Sequence, residues 1–396
     1  MELNLENHKE KIERWFKSEF TKTLPPPYCS VDLRNAGFKV APVDTNLFPA
    51  GFNNLHICAM PTATEAAKSL ANYYVPNCQR ILLVPENHTR NMHYFESLAT
   101  LQTIFTQAGF GVRVGSLLPD LAKPSEINLP SGRTLILEPA VKNQDNRLGV
   151  DQFDPCLILL NHDLSDGIPE LLKDITQKIA PPLQLGWWSR WKSDHFKYYQ
   201  EITEELAKLI NIDSWLINPL YDYCENIDFI SGEGEDLLIT KTQNLLDQIT
   251  EKYKKHNITE KPYVVIKADA GTYGMGILPV YNVDEIKNLN RKDRSKMSSS
   301  KGKQKITRVI IQEGVYTIEK RGETESTAEP VIYMIGDKVV GGFYRVHKDK
   351  LPHENLNSPG MHFESFCNSN YEYSVIARLA LLASAREIQG VRCHIS

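Results

Sequence analysis

Short apolar runs separated by polar, turn-forming segments mark the first half of the chain: "RILLVPE" (80–86), "GVRVGSL" (111–117), "TLILEP" (134–139) and "CLILLN" (156–161). Continuous apolar runs of this length suit strands buried on both faces of an open α/β sheet. The segments 90–108 and 168–179 carry helical spacing between them. Ligands of such sheets gather at the carboxyl ends of the strands, so "ENHTRN" (86–91) and "NHDLSDG" (161–167) are candidate substrate loops. Ahead of the first run, Ile12, Trp15, Phe16 and Phe20 form the stripe of an amphipathic helix. Around 181–200, Trp187, Trp188 and Trp191 lie among Arg190, Lys192 and His195, either as a seam between domains or as a substrate-facing loop.

The second half reads differently. A polar helix is predicted over 235–256, with Leu237, Leu238, Leu245, Leu246 and Ile249 as its apolar positions. It leads into "YVVIKADAGTYGMGI" (263–277), a β-branched strand followed by a glycine-rich turn. After a polar tract (281–305) come the strand "RVIIQEGV" (308–315) and "VIYMIGDKVVGGFYRV" (331–346), whose two apolar arms meet at Gly336-Asp337, a pairing that favours a tight hairpin. A final helix places Val375, Leu379 and Leu382 on one face. This pattern predicts an α/β and α+β chain with an N-terminal open α/β domain over 1–180, a connecting region over 181–234, and a second unit divided into 235–315 and 316–396.

With 396 residues, 41% hydrophobic and 24% charged, the chain is long and apolar enough for several cores. The net charge of −4 removes the global basic field of a nonspecific nucleic-acid binder. No apolar run approaches the roughly 20 residues of a membrane span, and the mixed-charge N-terminus does not read as a signal peptide. The seven cysteines show no C-x-x-C pair and no zinc spacing, so they read as reduced thiols in a cytoplasmic protein.

Lys267 stands near the end of a strand and just ahead of Gly271, Gly274 and Gly276, where a lysine can neutralise phosphates that glycine N–H groups approach closely. Glu313 ends the next strand, Arg345 ends the hairpin, and "NLNSPG" follows. A second string, "KMSSSKGKQK" (296–305), resembles the phosphate-binding loop of class I tRNA synthetases. None of the eleven histidines forms the second motif such an enzyme needs, and residues 291–305 hold seven basic residues against one acid, as in a solvated basic loop.

The four-part order resembles the ATP-grasp superfamily. That resemblance implies ATP bound by Lys267, by the loop Asp269, Gly271, Thr272, Tyr273, Gly274 and Gly276, and by Gln312 and Glu313, with Arg345 meeting the transferred phosphate. The segment "VDLRNAGFKVAPVDTNLFPAGFNNL" (31–55) is similar to the ATP-grasp type of glutamate–cysteine ligase. Its implied substrates are glutamate, cysteine and ATP, with neither nucleic acid nor membrane as a partner; glutathione synthesis or silent nucleotide binding are the alternatives. Arg34 and Lys39 are then expected to pair with substrate carboxylates, Asp44, Asn46, Asn53 and Asn54 to meet the α-amine and amides, and Arg190 to be a further substrate-binding residue. Mg2+ is implied as well. Related ligases end in a strand pair bearing an acid and a Glu-x-Asn set, for which this C-terminus, six residues after Gly390, leaves no room. The candidate ligands are therefore Glu329, Glu354, Asn355 and Asn357.

Overall fold

The computed structural model describes residues 4–87, 90–271, 276–298, 305–367 and 369–393. Helix α1 (Lys9–Lys22) buries Ile12 and Phe16 of the predicted stripe. Strands β1 (Tyr28–Asn35) and β2 (Val40–Asn46) form an antiparallel pair, followed by α2 (Met60–Tyr74). The predicted open sheet comes next: β3 (Arg80–Pro85), α3 (Met92–Gln107), β4 (Gly111–Ser116), β5 (Ser125–Asn128), β6 (Thr134–Pro139), the short pair β7 (Val141–Lys142) and β8 (Leu148–Gly149), then β9 (Leu157–Asn161) and β10 (Lys178–Ala180). Its order is β10-β9-β3-β4-β6-β5, parallel except at β5. All five residues of β9 are buried, as its unbroken apolar run requires. The helix expected over 168–179 is absent: that stretch holds one 3-10 turn, Glu170–Leu172, and then edge strand β10. Pro169 at its entry and the left-handed backbone of Asp174 (φ 55°) break the helical path.

Helix α4 (Lys192–Ile210) and β11 (Tyr221–Glu225) fill the expected connecting region. Helix α5 (Glu235–Lys255) packs on a second sheet with Leu238, Leu245, Leu246 and Ile249, whereas Leu237 faces outward. That sheet contains β12 (Val264–Ala268), β13 (Ile277–Val280) and, after the short helices α6 (Asp284–Lys287) and α7 (Arg291–Met297), β14 (Arg308–Glu313). It is antiparallel in the order β11-β14-β12-β13, so the connecting region lends it a strand.

The third sheet corrects the expected boundaries. After the two-residue β15 (Lys320–Arg321), the hairpin β16 (Ser326–Ile335) and β17 (Lys338–His347) turns at Gly336-Asp337, where Gly336 has φ 55°. Strand β18 (His362–Phe366) continues the sheet on one side, and β1 and β2 continue it on the other, giving β18-β17-β16-β1-β2. Residues 28–46 thus belong with the C-terminal hairpin, and 1–180 is not a self-contained unit. Helix α8 (Tyr371–Cys393) covers this sheet and packs along α4.

The cysteines also depart from expectation. Cys58 and Cys367, 309 residues apart in sequence, are joined as a disulfide with Cα atoms 5.8 Å apart. Cys29, Cys78, Cys156 and Cys224 are free.

Candidate active site

A cleft of about 950 Å³ lies between the second and third sheets and is closed at one end by the first. Strand alternation builds its floor, because residues two apart on a strand share a face. Ser30 and Asp32 of β1, Asp44 and Asn46 of β2, Glu329, Val331 and Tyr333 of β16, and Phe343 and Arg345 of β17 all line it. Asp32 is directly opposite Asp44, Ser30 opposite Asn46, and Glu329 opposite Arg345. The roof is Val265 and Lys267 of β12, Ile277 and Pro279 of β13, and Gln312 of β14. Glu86, Asn91, His93 and Asp163 approach from the carboxyl ends of β3 and β9, so both predicted substrate loops reach the cleft; His88 and Thr89 of the first lie outside the described residues.

Charge concentrates at the centre. Arg345 Nη1 donates to Asp32 Oδ2 (3.0 Å) and Glu329 Oε1 (2.5 Å), while Arg34 Nε donates to Glu329 Oε2 (2.9 Å). Lys192 Nζ donates to Asp44 Oδ1 (2.9 Å), and Lys267 Nζ donates to the Val43 carbonyl (2.6 Å). Four cations therefore face three carboxylates. Burial pushes Lys267 down to about 8, with Lys192 adding to the effect and Asp44 opposing it. Burial would raise Asp44, but Lys192 and Lys267 hold it well below the usual carboxylate range. Asp32 is raised by burial, Arg345 opposing and Glu329 and Asp44 adding to it.

Of the sequence-predicted site residues, Lys267, Arg345, Gln312, Asp44, Asn46, Asn53, Asn54 and Gly271 line the cleft. Gly271 has φ 94°, which explains the glycine. Thr272, Tyr273 and Gly274 lie outside the described residues; Gly276, with φ 61°, leads into β13.

Four assignments are corrected by packing. The fully buried Lys39 is paired inside the fold: its Nζ is 2.7 Å from Glu313 Oε2 and 4.2 Å from the centre of the Trp215 ring. Glu313 is the other half of that pair. It also accepts from Trp215 Nε1 (3.0 Å) and Leu220 N (2.8 Å), so its carboxylate is committed inside the fold although Glu313, Gly314 and Val315 border the cleft. Asp269 caps the start of α4, accepting from Ser193 N (2.8 Å) and Ser193 Oγ (2.6 Å), and it pairs with Arg308 Nε at 2.6 Å. Arg190 is buried behind β2, donating to Glu387 (3.0 Å) and to the Thr45 carbonyl (2.8 Å).

Arg34 lines the cleft, but its guanidinium is spent on Glu329 and on the Pro352 and Glu354 carbonyls. All four expected metal ligands line the cleft, and Glu329, Glu354 and Asn355 are likewise occupied. Both Glu329 oxygens hold arginines, which keep it ionised below the usual range against the cost of burial. Glu354 takes Lys350 Nζ (3.0 Å) and Leu351 N (2.8 Å), and Asn355 Oδ1 takes Asn357 N (3.0 Å).

Sequence reasoning missed Asp32 and Lys192. The first is inside the 31–55 segment, at the alternation that leads to Arg34. The second is in the tryptophan-rich stretch, which proves to serve both roles: Trp187 is buried with Lys192 Nζ 4.1 Å from its ring centre, and Lys192 itself reaches the cleft. In the basic segment, Lys296 borders the cleft and Lys305 pairs with Asp228 at 2.8 Å, while Lys301 and Lys303 lie outside the described residues.

The family pattern described as glutamate-cysteine ligase matches residues 2–388. The chain belongs to the glutamate–cysteine ligase family. It is similar to a crystal structure of a candidate gamma-glutamylcysteine synthetase from Methylobacillus flagellatus KT, with 46% identity, TM-score 0.90, and 98% of this chain and 95% of that one covered. Weaker likenesses are to D-alanyl-alanine synthetase A from Vibrio cholerae (10% identity, TM-score 0.35, covering 78% and 81%) and to a glutathione synthetase-like effector from Globodera pallida (11%, 0.36, covering 90% and 75%). No curated protein matches the chain. Among the described residues no helix is long and apolar enough to cross a membrane.

Proposed function

We propose that the protein joins the γ-carboxylate of glutamate to the amine of cysteine, using ATP, and that γ-glutamyl phosphate is the intermediate. One observation carries this beyond family membership: a single cleft places Lys267 on the roof opposite Arg345 and the Asp32, Asp44 and Asn46 strand pair on the floor. That is the ATP-grasp arrangement of two sheets closing on a nucleotide. The strand pair that related ligases carry at their end is supplied here by β1 and β2, which continue the hairpin sheet next to β16. Asp44-x-Asn46 repeats the acid-x-Asn spacing, and Asp32 supplies the second acid.

These groups fit Mg2+. Each carboxylate spends one oxygen on a cation, Asp32 Oδ2 on Arg345 and Asp44 Oδ1 on Lys192, so their other oxygens and the Asn46 amide would hold Mg2+ from one sheet face, with phosphate oxygens and water supplying the rest instead of an all-protein cage. When bound, the ion neutralises phosphate charge and keeps the transferred group in line. Glu329 does other work, orienting Arg345 and Arg34 through its two oxygens.

Lys267, Lys192 and Arg345 stabilise charge on the phosphoryl group as it moves to the γ-carboxylate, and they act without reorganising because strand pairing and ion pairs already hold them. Tyr263, Val265, Pro279 and the run Glu313–Val315 form the wall on which the adenine rests. Asn53 and Asn54 face the amino-acid end, and Asn53 Oδ1 is buried without a partner, ready to accept from an ammonium. ATP and free amino acids place the reaction in the cytoplasm.

The test is ADP release across amino-acid pairs. Glutamate with cysteine should turn over and yield γ-glutamylcysteine, whereas γ-glutamylcysteine with glycine should not; a preference for the second pair would make the protein a glutathione synthetase.

A further inference from the structure

The Cys58–Cys367 bridge ties together two elements that both face the cleft. Cys58 lies in the 3-10 turn Ile57–Ala59, shortly after Asn53 and Asn54, and Cys367 follows β18, whose His362 and Phe363 also line the cleft. The base of the first element is anchored independently: Gly51 N and Phe52 N donate to Ser97 Oγ, and Tyr333 Oη donates to the Ala50 carbonyl. On its other side the segment runs through the buried Ala59 into α2, so the bridge is the covalent tie between an exposed turn held at both ends and the end of β18. Both sulfurs and the neighbouring His56 are exposed. His56 Nδ1 is 2.9 Å from Cys367 Sγ and accepts from Cys58 N at 3.3 Å, so an imidazole is already held against one sulfur.

Exposed disulfides are the exchangeable ones, whereas structural disulfides are shielded from thiols. In a reducing compartment a disulfide is usually transient or redox-sensing. We propose that Cys58 and Cys367 form a thiol–disulfide exchange site for low-molecular-weight thiols at the rim of the cleft, and that its state tunes how tightly the cleft holds its amino-acid substrates. The second half rests on the ligase reading.

In the exchange a thiol, RSH, loses its proton and its sulfur attacks Cys58 Sγ. The S–S bond breaks, its electron pair leaves on Cys367, and the proton reaches that sulfur by way of His56. A second RSH attacks the R sulfur of the mixed disulfide, releasing RSSR and leaving Cys58 as a thiol. Overall, the protein disulfide and two RSH become the dithiol and RSSR. The dipeptide product is itself such a thiol, so the site is placed to respond to the pool that the reaction fills.

The test uses the intact protein equilibrated in reduced and oxidised glutathione at varied ratios, with free thiols then trapped by alkylation and mapped by mass spectrometry. Cys58 and Cys367 should convert together between disulfide and alkylated forms while the native fold persists. Cys367→Ser should collect one glutathione, on Cys58, and His56→Gln should slow exchange by about tenfold, less than the roughly hundredfold or more typical of positioned proton transfer because water reaches the exposed site. Glutamate binding, measured by calorimetry without turnover, should differ at least about fivefold between the oxidised and reduced forms, the lower end of allosteric couplings. That difference should vanish in the Cys58→Ser, Cys367→Ser double variant. A pair that stays bridged until the protein unfolds is a structural staple, and a reduced pair that takes up one zinc ion with His56 and no longer reoxidises is a metal site; either result overturns the proposal. Equal glutamate affinity in both forms overturns the tuning. Failure of the ligase reading would appear as absent ADP release and leave the alkylation pattern unchanged.

Discussion

Replacing Lys267 with alanine separates chemistry from scaffold. Folding loses one hydrogen bond, the 2.6 Å contact to the Val43 carbonyl, worth about 1.5–3 kcal/mol for a charged donor. It also sheds an ammonium whose burial is unfavourable, as the lowered pKa of about 8 records. The two effects oppose each other and are of similar size, so unfolding without ATP should shift by no more than a few degrees. Turnover has no such compensation. Removing one preorganised charge-stabilising donor costs about 10²–10³ in rate, and Lys192, tied to Asp44 at 2.9 Å, does not move into the vacated place without breaking its own ion pair. The assay is ATP-dependent formation of γ-glutamyl hydroxamate with hydroxylamine as the amine, which reads acyl-phosphate formation without involving cysteine. A folded Lys267→Ala protein with near-wild-type hydroxamate yield would refute the placement of the phosphates.

Three further outcomes follow from the same geometry. Lys267 carries its charge below about pH 8 and loses it above, so kcat/KM for ATP should fall on an alkaline limb near that value; bound phosphates favour the ammonium, so the limb in kcat should lie higher, and Lys267→Arg should remove it. Asp44→Asn and Asn46→Ala should raise the Mg2+ concentration for half-maximal activity at least about tenfold while Glu354→Gln leaves it near wild type; the reverse ranking would return the metal to the 354–357 loop. Lys39→Met should destabilise the fold by about 3–5 kcal/mol, because it strands the buried Glu313 carboxylate, with KM for glutamate unchanged at temperatures where the protein is folded; a raised KM with intact stability would put Lys39 back among the substrate ligands.

Strands β3 and β9 were legible because burial on both faces writes an unbroken apolar run, β4 and β6 because their shorter apolar runs are bounded by turn residues although one face is partly exposed, and Gly336-Asp337 marked its hairpin because only a few residue pairs adopt that turn. Pairing was not legible. Nothing in the period of residues 28–46 says that their neighbour is the strand 326–335, and that one adjacency moves Asp44 and Asn46 from an isolated substrate loop to the floor beneath Lys267. The same gap explains Lys39 and Glu313. Each reads locally as a polar residue available for a ligand, and only the fold, bringing them together across 274 residues, spends one on the other. Cysteine spacing fails for this reason too, since the C-x-x-C rule detects local pairs and Cys58 meets Cys367 only when β18 joins the hairpin.

The transfer of oxygen tests the central claim most directly. Glutamate labelled with oxygen-18 in its γ-carboxylate, incubated with cysteine, ATP and Mg2+, must pass one labelled oxygen to phosphate in each turnover if γ-glutamyl phosphate forms in this cleft. Mass spectrometry of the released phosphate should therefore show one heavy oxygen per phosphate, matched in amount by the γ-glutamylcysteine formed. Product accompanied by unlabelled phosphate would contradict the mechanism, and labelled phosphate made equally fast by Lys267→Ala would contradict its location.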